Sequence, residues 1–237
     1  MTDKTCMSYW FPKIEVAGIN VPRTIFATLP SEAQIDLFNY FDGKEPVGLA
    51  DPFFARLTAA AEQIGRPCFL RSGHTSAKHD WDRTCRLDVG DDIRAHVMAI
   101  IEYGEMSSLM GLPIDVWCVR EMLSTIPVGT CPGYGNMPVC REFRIFAADG
   151  EILCHHPYWP MYALEQGDFK PNDLAFDYGE FCTTPDMPEL LKMARNASNV
   201  CGGAWSVDML ETKRGWFLTD MAEAEKSFHW HGCKNAS

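Results

Sequence analysis

Two aspartates stand where strand propensity disfavours them. The runs Ala204 to Leu210 and Trp216 to Thr219 are rich in β-branched and aromatic residues and flank a polar turn, Lys213-Arg214-Gly215, which is the pattern of a hairpin. Asp208 falls inside the first run and Asp220 closes the second. Aspartate is depleted in strands and costly to bury unpaired, so either both are solvated turn residues or a cation lies between the strands. Paired carboxylates on adjacent strands suit Mg²⁺, which takes one or two carboxylates and leaves its other positions to water and phosphate oxygens. Cations that could meet phosphate occur earlier in the chain. The apolar run Pro67 to Arg71 ends on an arginine and enters a small, hydroxylated, basic loop, Ser72 to Asp80. Backbone amides of such a loop can line a phosphate while Lys78 supplies a point charge. The loop has neither P-loop spacing nor the glycines of a dinucleotide fingerprint, and taken alone it reads as a solvated hairpin tip.

The elements that would position these groups follow from periodicity. Asp115 to Leu123 reads as a strand with Arg120 and Glu121 directly after its apolar segment, a polar pair that suits either a cleft edge or a salt-bridged rim. Residues 141 to 146 alternate charged and apolar, Asp149-Gly150 turns, and Ile152 to His156 returns, so a hairpin carries Arg144 and Glu142 on one face. Ser31 is expected to cap a helix to about Phe41. Asp51-Pro52 opens another helix with Phe53, Phe54, Leu57, Ala61 and Ile64 on one face and Gly65 as its stop. Asp91-Asp92 leads into a helix burying Ile93, Val97, Ile100 and Ile101, and Asp186 with Pro188 starts a helix to about Asn199. Extended pieces are expected over 14–21 and 24–28, a returning strand over 81–89, a loop over 129–137, and a loop or lid over 157–185.

With 237 residues the chain can bury a sizeable core as one large domain or two small lobes. A net charge of −11 works against a broad nucleic-acid surface, although Lys78, His79, Arg83 and Arg86 form a local basic cluster. No apolar run approaches the ~20 residues of a membrane span, and nothing at the N-terminus resembles a signal peptide. The ten cysteines include no CxxC pair, and several lie in apolar runs, so a reduced, cytoplasmic chain without membrane attachment is expected. Cys154, His155, His156, His229, His231 and Cys233 have the ligand types of a zinc site, but their spacing fits no finger pattern and exposed tail histidines are the plainer reading.

Four segments in order carry a family likeness: FLRSGHTSAKHDW, VWCVREML, CREFRIFA followed by LCHHPYW, and WSVDMLETKRGWFLTDMAEAEKSFHW. Over about residues 67–231 the chain resembles the ATP-grasp superfamily. It looks most like the small clade named for two arginines and a lysine, and like the ATP-grasp assembly factor of eukaryotic translation initiation factor two. The resemblance implies an α+β fold in which two lobes hold a nucleotide between antiparallel sheets. The expected organisation is a lead-in with helices over 1–66, a small nucleotide-clamping lobe over 67–116, and a large lobe with the metal-binding hairpin over 117–237. It further implies ATP and Mg²⁺ as cofactors, with Arg71, Ser76 and Lys78 on the phosphates, Cys118, Val119 and Arg120 facing adenine, and Glu121 near the ribose. Arg144 and Lys78 would be the catalytic cations, Arg144 neutralising the terminal phosphate, and Asp208 and Asp220 would hold the metal. The family commonly places an asparagine two residues after its last acid; here that residue is Ala222, and Glu223 or Glu225 is the available substitute. The implied reaction is carboxylate activation by ATP and attack by an amine or other nucleophile, on an unidentified carboxylate or a protein/peptide acceptor. The alternatives are an ATP-binding assembly factor or chaperone without turnover, and phosphoryl or nucleotidyl transfer to a nucleic-acid end.

Overall fold

The computed structural model describes residues 3–106, 111–231 and 233. The chain forms two α+β units, one of Arg23–Met122 with Tyr134–Met137, the other of Met1–Pro22, Leu123–Gly133 and Pro138–Ser237. The stretch 1–66 is therefore shared, residues 1–22 going with the second unit and 23–66 with the first.

The first element is helix α1, Met7–Val16, where the sequence predicts an extended piece from residue 14. Met7, Trp10, Phe11 and Ile14 repeat at three and four residues and are buried, and that apolar stripe outweighs the amide hydrogen bond lost at Pro12.

The 23–122 unit is a sheet covered by helices on one face. Its strands are β1, Thr24–Thr28; β2, Cys68–Ser72; β3, Arg86–Leu87; and β4, Val116–Glu121, in antiparallel order β1-β4-β2-β3. The strand expected over 81–89 is reduced to two residues, because 81–85 turn and Thr84 Oγ1 donates to the carbonyls of Ala77 (2.8 Å) and Asp80 (2.7 Å). Helix α2, Gln34–Phe41, follows a 3₁₀ turn over Ser31–Ala33, and the Ser31 side chain does not cap it as expected. Helix α3, Asp51–Ile64, has proline in its first turn, buries Phe53, Phe54, Leu57, Ala60, Ala61 and Ile64, and stops at Gly65, whose φ of 92° favours glycine. Helix α4, Ile93–Met106, buries Ile93, Val97, Ile100 and Ile101 as its spacing predicts. These helices meet Leu70, Trp117 and Val119 from the sheet in one apolar core.

The segment expected as a loop contains β5 (Gly129–Cys131), which forms a small sheet with β6 (Met137–Val139) and β9 (Lys170–Pro171) in the order β6-β5-β9. Gly129 is needed there, since a Cβ would lie 2.4 Å from the carbonyl of Lys170. The main sheet runs β11-β10-β7-β8, with β7 at Glu142–Ala148, β8 at Glu151–Pro157, β10 at Ala204–Thr212 and β11 at Gly215–Glu223. Asp149 and Gly150, both at positive φ, close the β7–β8 hairpin as its sequence predicts. Between β8 and β10 lie α5 (Met161–Gln166), α6 (Tyr178–Phe181) and α7 (Met187–Cys201). Helix α7 packs its buried Leu190, Ala194, Ala197 and Cys201 toward β7 and β10, and α1 packs against α7. Trp205, Val207, Met209 and Met221 face that side, while the opposite face mixes polar residues with Phe146, Leu210 and Phe217.

Candidate functional site

On the helix-free face of the main sheet one register row crosses all four strands. Arg144 on β7 is the Cα partner of His156 on β8 and of Asp208 on β10, and Asp208 is in turn the partner of Asp220 on β11. Directly opposed residues project to the same side, so these four side chains share one face. A bulge creates the last step. The register slips between Asp208 and Met209: Met209 pairs with Leu218 while Asp208 pairs with Asp220, so Thr219 is the extra residue. Leu218 and Asp220, two apart, would otherwise point the same way; the bulge sends Leu218 to the core and Asp220 to the row. Asp220 thus sits within β11 rather than closing it.

Arg144 and Asp208 form a bidentate pair, Nε to Oδ1 and Nη2 to Oδ2 at 2.8 Å each, with side chains only 17% and 6% exposed. Burial works against the guanidinium charge, but the adjacent carboxylate and its hydrogen bonds outweigh it, holding Arg144 charged at all accessible pH. The Tyr158 ring lies 4.8 Å from the guanidinium carbon. Asp208 is therefore neither a solvated turn residue nor an unpaired buried charge. Asp220 is half-buried and Oδ1 accepts from the Met221 amide at 3.0 Å. His156 is buried, and its Nδ1 lies 2.9 Å from the Pro157 carbonyl, so Nδ1 carries the proton. Burial first, and the Arg144 charge after it, push its pKa down and keep the ring neutral. Its buried Nε2, a lone-pair acceptor, has no hydrogen-bond partner among the described residues.

The donor set fits a divalent cation. Each Asp208 oxygen accepts one N–H from Arg144 and keeps further lone pairs, and Asp220 offers a second carboxylate on the neighbouring strand. Glu223 does not join them. It is the register partner of Trp205, on the helix-packed side, and its carboxylate is held by Lys226 Nζ at 2.5 Å. Ala222, opposite Ser206, contributes no ligand.

The 23–122 unit brings together a second set. On the sheet face away from α3 and α4, Arg71 is the partner of Cys118, and one row along, Phe69 is the partner of Arg120. Arg71 and Arg120 are each about 3% exposed, with Arg71 Nε donating to the Ser72 carbonyl (3.1 Å) and Arg120 Nε to Thr24 Oγ1 (3.3 Å). Val119 points the other way, into the apolar core, so only its backbone is available to a ligand. Glu121 Oε2 lies 3.8 Å from Arg23 Nε. In the basic loop, Ser72 Oγ accepts from the amides of His74 (3.2 Å) and Thr75 (3.0 Å), and Thr75 Oγ1 from that of Ala77 (3.3 Å), so these three amides are bonded within the loop. Ser76 and Lys78 are half-buried, and Lys78 begins a short 3₁₀ turn over Lys78–Asp80 after Ala77 at φ 52°. Two members of the basic cluster are ion-paired: Arg83 with Asp80 and Glu102, and Arg86 with Asp82 and Asp88.

His156 and Tyr158 join Arg144 although no sequence motif marks them. Counted from the Asp149-Gly150 turn, plain alternation would set His155 opposite Arg144; the extra residue Leu153 puts His156 there instead, so no local signal marks it.

No protein-family model and no curated protein matches the chain. Among solved structures it is similar to a RimK domain ATP-grasp protein from Sphaerobacter thermophilus, at 15% identity and a TM-score of 0.48, over 92% of this chain and 58% of that one. It is similar also to a D-alanine–D-alanine ligase from Bacillus anthracis complexed with ATP, at 8% identity and a TM-score of 0.48, over 92% and 54%. A third is the ATP-grasp ligase PsnB in complex with precursor peptide PsnA2 and AMPPNP, at 12% identity and a TM-score of 0.43, over 92% and 48%. The chain spans about half the length of these structures. No described helix is long and apolar enough to cross a membrane.

Proposed function

We propose that this chain is an ATP- and Mg²⁺-dependent ligase of the ATP-grasp type, allied to the small clade named for two arginines and a lysine and to the translation-factor assembly factor. The observation that carries the reading is the row His156, Arg144, Asp208, Asp220: a half-buried cation beside two carboxylates on the helix-free face of a sheet. Such a row suits phosphoryl transfer, where catalysis is mostly positioning and neutralisation of charge. Asp208 and Asp220 would hold Mg²⁺, whose charge, when it is bound, is shared with phosphate oxygens. Arg144 meets charge on the transferring phosphoryl group, and Asp208 fixes its orientation. Arg71, Ser76, Lys78, Arg120 and the backbone at Cys118 and Val119 are assigned to nucleotide contacts, and Glu121 to the ribose; these roles rest on the resemblance of their segments. A carboxylate oxygen of the acceptor attacks the γ-phosphorus and ADP leaves. An amine nitrogen then attacks the acyl carbon, phosphate departs, and the nitrogen loses a proton. Ten cysteines outside any disulfide suit a reducing compartment, and we place the chain in the cytoplasm.

One observation favours a second reading, an ATP-binding assembly factor without turnover: with Ala222 silent and Glu223 paired to Lys226, the metal has two protein carboxylates rather than three ligands. Transfer to a nucleic-acid end is not favoured, since Arg83 and Arg86 are already ion-paired.

The test is calorimetry with ATP and Mg²⁺, followed by ADP release over candidate acceptors. Asp208→Asn, Asp220→Asn and Lys78→Ala should each weaken binding about tenfold or more, as loss of a charged hydrogen bond does. No affinity in the wild-type chain, or unchanged affinity in all three variants, refutes the proposal; binding without ADP release selects the second reading.

A further inference from the structure

The helix-free face of the main sheet also carries a cluster of soft ligands. The register of β7 and β8 slips between Phe146 and Ala147: Phe146 pairs with Cys154 and Ala147 with Ile152, leaving Leu153 as the extra residue. This bulge turns Ile152 toward the helix-packed side and Cys154 to the open face beside Phe146, two residues from His156. The segment after β11 then lies along that face. Ser227 Oγ is 2.6 Å from Ser206 Oγ, His229 stacks on Phe146 with ring centroids 3.7 Å apart, and Trp230 stacks on His156 at 5.4 Å. The Cys233 amide donates to the Trp230 carbonyl (3.0 Å), and this turn brings Cys233 back beside His229.

We propose that Cys154, His229 and Cys233 bind a zinc ion. Their ligand atoms all lie within 4.8 Å of one another, and Cys154 Sγ is 3.8 Å from His229 Nδ1. Tetrahedral zinc, with bonds of about 2.3 Å to sulfur and about 2.05 Å to nitrogen, sets sulfur and nitrogen about 3.6 Å apart and two sulfurs about 3.8 Å apart. Cys154 and His229 are thus close to coordination spacing, and Cys233 has about 1 Å or less to close. Two thiolates and one imidazole select zinc over Mg²⁺, which the oxygen donors Asp208 and Asp220 suit, so the two sites differ in the metal they prefer. Three protein ligands leave the fourth position to water or an added anion. The ion ties the chain's last described residues to β8, the strand that carries His156, and the assignment does not depend on the nucleotide reading.

The experiment is cobalt titration of the chelator-treated, reduced, full-length protein. Thiolate-to-cobalt charge-transfer absorption saturating at one equivalent and displaced by zinc is the expected result, with matching zinc content by elemental mass spectrometry. Cys154→Ser and Cys233→Ser should weaken uptake by more than the about 10–100-fold that loss of a supporting partner costs. Cys154→His should retain an ion with an altered spectrum, which keeps the test decisive if a serine variant fails to fold. Cys182→Ser and His155→Ala, outside the cluster, should leave uptake unchanged. No uptake by the reduced wild-type protein, or uptake that survives Cys154→Ser/Cys233→Ser, overturns the proposal. Nucleotide calorimetry on the same samples reports on the ligase reading separately.

Discussion

Removing the Asp208 carboxylate tests how far the sheet depends on its buried ion pair. Asp208→Ala leaves Arg144 charged, 17% exposed, and without two hydrogen bonds of 2.8 Å. Breaking a buried pair from one side costs about 3–5 kcal/mol, mostly the penalty of the stranded charge. Tyr158 at 4.8 Å and the residual exposure of Arg144 offset part of that, so about 3 kcal/mol is expected. At ~2–4 °C per kcal/mol for a chain of this size, Tm should fall by about 6–12 °C. Arg144→Met/Asp208→Leu removes both charges and should recover most of the loss, because apolar replacement of a whole buried pair is often neutral or better. Urea unfolding followed by near-ultraviolet dichroism and by tryptophan fluorescence measures the cycle and shows whether the two units unfold together. If the costs of Asp208→Leu and Arg144→Met add to within about 0.5 kcal/mol in the double variant, the two side chains are not coupled and the reasoning fails.

Stability should also fall in acid. The folded pKa of His156 is depressed below the unfolded value of about 6.5, so its contribution is fully present above that value and is lost as pH falls below it through the folded pKa. In the zinc-free protein His229, shifted the same way by burial and then by Arg144, adds to the slope. His156→Gln should flatten the decline in urea midpoint between pH 7.5 and 5.5, and an unchanged slope contradicts the assignment. In the other unit, Trp117 is fully buried, donates Nε1 to the Ile114 carbonyl at 2.8 Å and meets Phe53 edge-on at 6.3 Å. Trp117→Ala should cost about 3–5 kcal/mol by urea denaturation, and a loss below about 1 kcal/mol would mean that the core collapses around the gap.

Much of the fold is written in local chemistry. Helices α3, α4 and α7 follow from an apolar face with proline or acid at the start and, for α3 and α7, glycine at the end, and the two hairpins follow from alternation around their turns. Local signals misled where a longer-range term was stronger. Pro12 hid α1, whose stripe packs against α7. The glycines and prolines of 129–137 read as a loop, although β5 pairs with β9 some forty residues away. The zinc-type residues showed no motif because Cys154 and His229 are joined through the sheet face, 75 positions apart.

Residue types alone determined which groups this protein has for chemistry: Arg144, Asp208 and Asp220 in strand-forming segments, and cysteines with histidines near β8 and the C-terminus. Which of them meet was decided by the sheet. A strand's side chains alternate with a period of two, so a single extra residue reverses the facing of all that follow. One such residue, Thr219, carries Asp220 to the side of Asp208 and Arg144, and another, Leu153, carries Cys154 to the side of His229. Neither slip leaves a local mark in composition or spacing, because a bulge is settled by the pairing of the whole strand with its neighbours.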